Sequence, residues 1–460
     1  MRRSTLMLAI LLATTAASAQ MPPKVNPVTV QSAAGTLQGD DQDDVLVFRG
    51  VPYAAPPIGP LRWSAPRPVA AWKGVRTAVA HEPPCPQPVM PDFTSANPGG
   101  VNGAQSEDCL YLEVYAPEAV KKAPVLVWFH GGAFFLGAGH LPSYEGRANA
   151  RQGVITVDVN YRLGALANFN HPALDRGPGP HGNYALQDAV AALRWVRDNI
   201  TAFGGDPDNV TVAGQSAGGG IVTGLLSLPA AKGLFGKAII QSGALLRPDI
   251  TPEESTEKTL AGLKDIDVGP DATPESLRQI SAQTFVGTPS LMRGTFFVKD
   301  SAYKPVSTIE ALTAGTETDV PLLIGSNSGE GGFAAARRFA EMAGDQGAPA
   351  WLYRFAHTPA WRAPEWKAGP IHSAELMFTF DTIDQSSWGG DRADATDRTL
   401  ARVMNGCWTA FVRMAPGSRR LRCGNGFEWK PYGKAGEVAE FRSTGPVIID
   451  ARALPDGPPK

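Results

Sequence analysis

Short runs of β-branched and other apolar residues alternate with longer segments of helical periodicity along most of this chain. Helix periodicity is clearest at residues 185–199, where apolar side chains recur every three or four positions. Strands that alternate with helices pair in parallel, because each helix crosses back over the sheet. The pattern predicts an α/β fold with a central, mostly parallel sheet flanked by helices. The candidate strands are residues 125–129, 154–159, 210–213, 237–241, 320–325, 351–355 and 447–450.

The chain before residue 125 has a different pattern. Residues 35–37 and 45–48 form two short runs around an acidic stretch at 40–44, and they predict a small N-terminal antiparallel hairpin. The acidic stretch lacks the spaced ligands and distal glutamate of a calcium loop, so we interpret it as a solvated turn. No linker or composition break divides the chain, and we expect a single domain over residues 20–460.

Residues 1–19 have the pattern of a secretory signal peptide. Two arginines precede an apolar stretch at residues 6–13, and small residues precede a cleavage site near Ala19 and Gln20. That stretch is too short to cross a bilayer, and no later run is long enough. We therefore expect an exported protein, periplasmic or secreted, with no membrane span. The alternative is a hydrophobic N-terminus on a cytoplasmic protein.

Charge and motif content limit the partners and cofactors. The 42 Lys and Arg residues against 44 Asp and Glu give a formal charge of −2, and no long basic run occurs. This balance argues against nucleic acid or an anionic membrane as partner. The sequence has no CxxC, no HExxH and no Cys/His cluster at zinc spacing, so we expect no metal and no cofactor. The expected partner is a small molecule, and the oligomeric state stays open.

Four cysteines fit an oxidising compartment. Four cysteines allow three pairings, which the sequence alone leaves open. Their spacing favours two local pairs, Cys85 with Cys109 and Cys407 with Cys423.

A Gly-x-Ser-x-Gly sequence at residues 214–218 follows a candidate strand and precedes a helical pattern. In that setting the glycines permit a sharp turn that exposes the Ser216 hydroxyl above the sheet. The bare motif is a weak indication in a chain with 50 glycines, and a glycine-rich turn with an idle serine is the alternative. The strand–turn–helix setting makes Ser216 a candidate nucleophile.

A second small-residue segment follows strand 125–129. His130-Gly131-Gly132-Ala133-Phe134 would let backbone N–H groups face the negative charge that develops on a substrate carbonyl oxygen. The N–H of Ala217 is a further donor. The alternative is a plain loop.

Two of the seven histidines follow Ser216, and one of them is the candidate base. His372 lies in a loop beyond strand 351–355, with room to reach back over the sheet. His357 lies two residues beyond that strand and is interpreted as a surface or packing histidine. We therefore assign His372 as the base.

The candidate acid is Glu330, the first acidic residue after strand 320–325. Sites of parallel sheets gather at the carboxyl ends of the strands. Asp319 lies at the other end of this strand, and Glu341 and Asp345 lie in or beyond the next helical pattern.

Several segments together resemble the type-B carboxylesterases of the α/β-hydrolase fold, which include bacterial para-nitrobenzyl esterases, cholinesterases and some lipases. The resemblance implies Ser216 as nucleophile, Glu330 as acid and His372 as base. The resemblance implies that the N–H groups of Gly132, Ala133 and Ala217 are the oxyanion donors. It also implies a disulfide between Cys85 and Cys109. The ion pairs that it implies are Arg62–Glu107 and Arg162–Asp188. The matching segments are residues 48–54, 107–112, 130–134, 160–165, 203–207 and 214–219.

We therefore predict a carboxylic ester hydrolase that forms an acyl-enzyme and needs no cofactor. The alternatives are a non-catalytic binding protein of the same fold and an amidase with the same triad. Two departures from the family pattern are Gln215, where many relatives have glutamate, and the short segment 331–371 between Glu330 and His372. Relatives have additional helices there, so we expect a shallow, open cleft.

Overall fold

The computed structural model describes residues 25–89, 101, 103–174, 182–292, 297–300, 303–385, 389–415 and 417–454. The predicted leader and its cleavage site lie outside these residues. The strands are β1 (Pro27–Gln31), β2 (Thr36–Gln42), β3 (Val45–Pro52), β4 (Val75–Thr77), β5 (Tyr111–Pro117), β6 (Ala123–Phe129), β7 (Ile155–Val159), β8 (Gly205–Gln215), β9 (Lys237–Gln241), β10 (Leu322–Asn327), β11 (Ala350–Phe355), β12 (Leu421–Arg422), β13 (Glu428–Trp429), β14 (Glu437–Arg442) and β15 (Gly445–Asp450). The α-helices are α1 (Arg147–Arg151), α2 (Gly164–Ala167), α3 (Tyr184–Asn199), α4 (Ala217–Leu226), α5 (Pro252–Leu263), α6 (Pro274–Gln279), α7 (Ala282–Val286), α8 (Pro289–Met292), α9 (Thr308–Ala314), α10 (Phe333–Gln346), α11 (Leu376–Thr379) and α12 (Ala395–Arg413).

One large sheet has the strand order β1-β2-β3-β5-β7-β6-β8-β9-β10-β11-β14-β15, with β4 paired to β2. The strands from β7 to β14 in this order run parallel, and those from β1 to β5 pair antiparallel. The predicted mostly parallel sheet with an N-terminal antiparallel region is confirmed. Because β6, β8 and β10 are parallel, their carboxyl ends and the loops that follow meet at one edge of the sheet.

Helices cover both faces of the sheet. Val125 and Val127 of β6 pack in one core with α3, α4 and α10, whereas Leu126 and Trp128 pack in a second core with α12. Successive side chains of a strand point to opposite faces, so a strand buried on both sides is apolar at every position. This double burial explains the continuous apolar runs in the sequence.

The strand predictions need correction, since β1, β4, β12 and β13 lie at residues for which the sequence predicted no strand. The N-terminal hairpin is longer than expected, since its strands extend through the acidic stretch and turn at Asp43 and Asp44, both of which have positive φ. β5 was not predicted, although all its residues are buried. β14 was also missed, and it separates β11 from the predicted last strand. Its buried Glu440 pairs with Arg354 and Arg442. Because of these charged residues, β14 lacks the apolar pattern by which the other core strands were predicted.

The two local disulfides are present. Cys85–Cys109 and Cys407–Cys423 have Cα–Cα distances of 5.0 and 4.4 Å. The ion pairs implied by the resemblance are also present. Arg62 pairs with Glu107, and Arg162 pairs with Asp188 at 2.7 Å where both side chains are buried. Among the described residues, no helix is long and apolar enough to cross a membrane.

Candidate active site

Ser216 occupies the turn between β8 and α4 with φ 55° and ψ −120°. A side chain on either flanking glycine would collide with backbone. A Cβ on Gly214 would lie 2.3 Å from the carbonyl carbon of Gly218, and a Cβ on Gly218 would lie 1.8 Å from the Phe129 carbonyl oxygen. The helix therefore packs directly on the end of β6, and the turn holds Ser216 at the carboxyl edge of the sheet.

The segment after β6 turns back beside Ser216. Gly132 and Ala133 have φ values of 117° and 53°. The N–H groups of Phe135 and Leu136 donate to the Gly132 carbonyl at 3.0 and 2.8 Å. Within the described residues, the N–H groups of Gly132 and Ala133 have no protein acceptor. The role of these two N–H groups as oxyanion donors stays a prediction of the sequence.

The loop after β10 and the loop after β11 meet. His372 Nδ1 lies 2.5 Å from Glu330 Oε2. The other carboxylate oxygen of Glu330 accepts from the Asn327 N–H at 2.8 Å and from the Ser242 hydroxyl at 2.5 Å. Glu330 is thus held by two donors on one oxygen and presents its other oxygen to His372. Between the two residues lie only α10, β11 and a loop, and this short segment still brings them into contact.

The environment favours a basic His372. Burial alone would lower the pKa of His372, but the hydrogen bond to Glu330 and the negative charge of Glu330 raise it above the usual value of 6.5. The side chain is 47% exposed, so solvent reaches the imidazole. A carboxylate on Nδ1 fixes the proton there and leaves Nε2 as the acceptor.

Gln215 contacts Nε2 of His372. Its side-chain Nε2 lies 3.2 Å from His372 Nε2, where the amide can donate to the imidazole lone pair. In the described part of the chain, Ser216 Oγ makes no hydrogen bond to His372. Catalytic hydrogen bonds often form only when substrate binds. The sequence identified Gln215 as a departure but not this contact.

Sequence reasoning also missed Glu375, which is fully buried next to the pair. Its carboxylate accepts from Asn327 Nδ2 at 2.6 Å and from Gln241 Nε2 at 3.2 Å. Burial and then the charge of Glu330 raise the pKa of Glu375 to about 7. The one available signal was its position three residues after His372, which places it on the same loop.

His357 lies elsewhere. It is buried, and its Nε2 lies 2.6 Å from Asp397 in the first turn of α12. The sequence analysis interpreted His357 as a surface or packing histidine, and the structure shows that it is a packing histidine.

The chain has clear relatives among known proteins. The sequence profile of the Carboxylesterase family matches residues 26–344. The para-nitrobenzyl esterase of Bacillus subtilis (strain 168) is 35% identical over 84% of this chain and 89% of its own length. The fumonisin B1 esterase of Sphingopyxis macrogoltabida is 31% identical over 92% of this chain and 87% of its own. A solved PNB esterase structure superposes with a TM-score of 0.80 and 30% identity, covering 92% of this chain and 97% of that one.

Proposed function

The chain belongs to the carboxylesterase family of serine ester hydrolases with the α/β-hydrolase fold, and we propose that it acts through a Ser216–His372–Glu330 triad and an acyl-enzyme intermediate. The observation that carries the proposal is the contact between His372 Nδ1 and Glu330 Oε2 at the sheet edge that holds Ser216.

The proposed reaction has two steps. His372 Nε2 takes the Ser216 proton as Oγ attacks the ester carbonyl, and the same nitrogen then protonates the leaving alcohol. Water, deprotonated by His372, next attacks the acyl-enzyme and releases the acid. The N–H groups of Gly132, Ala133 and Ala217 stabilise the oxyanion in both steps. The hydrogen bond from Gln215 to His372 Nε2 must break before Nε2 can accept the Ser216 proton.

The short connection between Glu330 and His372 supports an open cleft. One helix and one strand occupy the segment, and His372 is 47% exposed. A site with little wall on this side accepts bulky acyl or alcohol groups but buries small esters poorly. We therefore propose broad substrate size tolerance with a high KM for small esters.

The two disulfides support export to an oxidising compartment. We propose that residues 1–19 are removed near Ala19 and that residues 20–460 form one domain. N-terminal sequencing of protein recovered from outside the cytoplasm tests this, and a retained leader would contradict it.

Replacement of Ser216 tests the function. Ser216→Ala should lower kcat for a short-chain p-nitrophenyl ester on the order of 10⁴-fold, because triad members act as a unit. The Tm should change little, since the half-buried side chain loses one oxygen. Retention of more than about a tenth of the activity would contradict the assignment. Faster cleavage of the matching p-nitroanilide than of the ester would favour the amidase alternative.

A further inference from the structure

Two histidines and a glutamate from three separate segments converge outside the candidate active site. One ligand atom each from His81, Glu113 and His140 lie within 4.8 Å of one another. The imidazole rings of His81 and His140 are 4.9 Å apart, and His81 Nδ1 contacts Glu113 Oε1. His81 is 46% exposed, whereas the Glu113 side chain is 6% exposed. The cluster is thus buried at Glu113 and open to solvent at His81.

A second buried carboxylate lies behind the cluster. Asp158 of β7 is the cross-strand partner of Glu113 on β5, so both side chains project from the same face of the sheet. Asp158 is 1% exposed, and within the described residues neither of its carboxylate oxygens has a hydrogen-bond partner. Glu145 is also close, but it pairs with Arg147 at 2.9 Å. Burial, and then the negative charges of Glu113 and Glu145, raise the pKa of Asp158 well above its usual value and favour its neutral form. The candidate metal ligands are therefore His81, Glu113 and His140, without Asp158.

We propose that His81, His140 and Glu113 bind one divalent transition-metal ion, with Zn²⁺ the best fit. Two imidazoles and one carboxylate form a donor set that zinc uses, with a water in the fourth position. The second oxygen of Glu113 accepts from the Tyr115 hydroxyl at 2.6 Å, which orients the carboxylate as outer-shell partners of metal sites do. On binding, the metal replaces the hydrogen bond between His81 Nδ1 and Glu113, and the imidazole proton moves to Nε2.

We expect this metal to fix the loop that ends at His140. His140 follows the segment with the proposed oxyanion donors, and within that loop Gly137 is already held by two hydrogen bonds to Gln87 at 2.7 and 2.8 Å. A metal at His140 would tie the end of the loop to β5 and to His81. The sequence could not reveal the site, because His81 and Glu113 are 32 residues apart and no local spacing marks them.

Metal binding to the tag-free, chelator-treated protein tests the proposal. Isothermal titration with ZnCl₂ should show one equivalent bound, and the Tm should rise with Zn²⁺. His81→Ala and His140→Ala should each weaken Zn²⁺ binding by more than the roughly 10- to 100-fold that loss of an outer-shell partner costs. His171→Ala removes a buried histidine outside the cluster; it is the matched control and should bind Zn²⁺ as the unaltered protein does.

Absorption of bound Co²⁺ gives a second readout. The unaltered protein should show the intense visible bands of a four-coordinate site, and His81→Ala should lose them. His81 is half exposed, so that variant folds even if His140→Ala or Glu113→Gln does not. Absence of stoichiometric binding to the unaltered protein would overturn the proposal. Zn²⁺ affinity unchanged in His81→Ala would overturn it as well, since the metal would then lie elsewhere.

Discussion

Glu330→Gln should leave the fold intact and nearly abolish turnover. Two donors, the Asn327 N–H and the Ser242 hydroxyl, face one side-chain oxygen of Glu330. The amide oxygen of the glutamine must take that position, because the amide nitrogen cannot accept. Its NH₂ group therefore faces His372 Nδ1, which is 2.5 Å from the present carboxylate oxygen.

That arrangement places the wrong tautomer in the site. An NH₂ group can only donate, so Nδ1 must become the acceptor and the imidazole proton moves to Nε2. Ser216 then has no base for its proton. The imidazolium that forms during attack also loses its negative partner. In triad enzymes this change costs on the order of 10⁴-fold in kcat, or about 5 kcal/mol at 1.36 kcal/mol per tenfold.

The assay is kcat for p-nitrophenyl acetate, with Tm and circular dichroism as controls for folding. Glu330→Asp is the matched variant, since it keeps the charge with a shorter reach and should lose less activity than the glutamine. A glutamine variant within about tenfold of the unaltered kcat would refute the tautomer argument. An aspartate variant worse than the glutamine variant would refute it too.

Four further expectations follow from the site and the disulfides. His372→Gln should lower kcat as strongly as loss of the serine, whereas His357→Gln should keep kcat and lower the Tm, because it breaks a buried pair; equal loss of kcat at both positions would contradict the assignment. The pKa of His372 is raised and the base must be neutral, so the acid limb of the pH profile of kcat/KM should lie above pH 6.5. Gln215→Glu adds a negative charge beside His372 Nε2 and should move this acid limb to higher pH. An acid limb that stays in place or moves to lower pH would contradict this expectation. Cys407→Ser with Cys423→Ser should lower the free energy of unfolding by about 2–4 kcal/mol in denaturant titrations, and an unchanged midpoint would show that the bridge does not contribute. Kinetics with acetate, butyrate and a bulky aromatic ester test the open cleft, and strong preference for acetate would contradict it.

The parts of the site that local sequence predicts are those in which backbone conformation limits the residue choice. The turn at Ser216 needs glycines on both sides because helix and strand backbones nearly touch there. The assignment of Glu330 and His372 rested on chain order and on the rule that parallel strands direct their carboxyl ends to one edge, and the structure places the two side chains in contact. The sheet core was equally visible, because strands buried on both faces are apolar throughout.

The parts that the sequence missed depend on long-range contacts between polar residues. Glu375 contacts Gln241 across 134 positions, and no local pattern distinguishes it from a surface glutamate. The sequence predicted no strand at Glu440, because its arginine partner Arg354 is on another strand and no local pattern shows the pair. The contact of Gln215 with His372 likewise exists only after two loops meet.

The acyl-enzyme on Ser216 is the central claim, and rapid quenching followed by peptide mass spectrometry tests it most directly. With a p-nitrophenyl ester whose acyl group leaves slowly, we predict a burst of about one p-nitrophenol per protein chain. The peptide that contains Ser216 should gain the mass of the acyl group during that burst, and the Ser216→Ala variant should show neither burst nor adduct. An adduct on another residue, or turnover with no adduct under conditions in which deacylation limits the rate, would contradict the account.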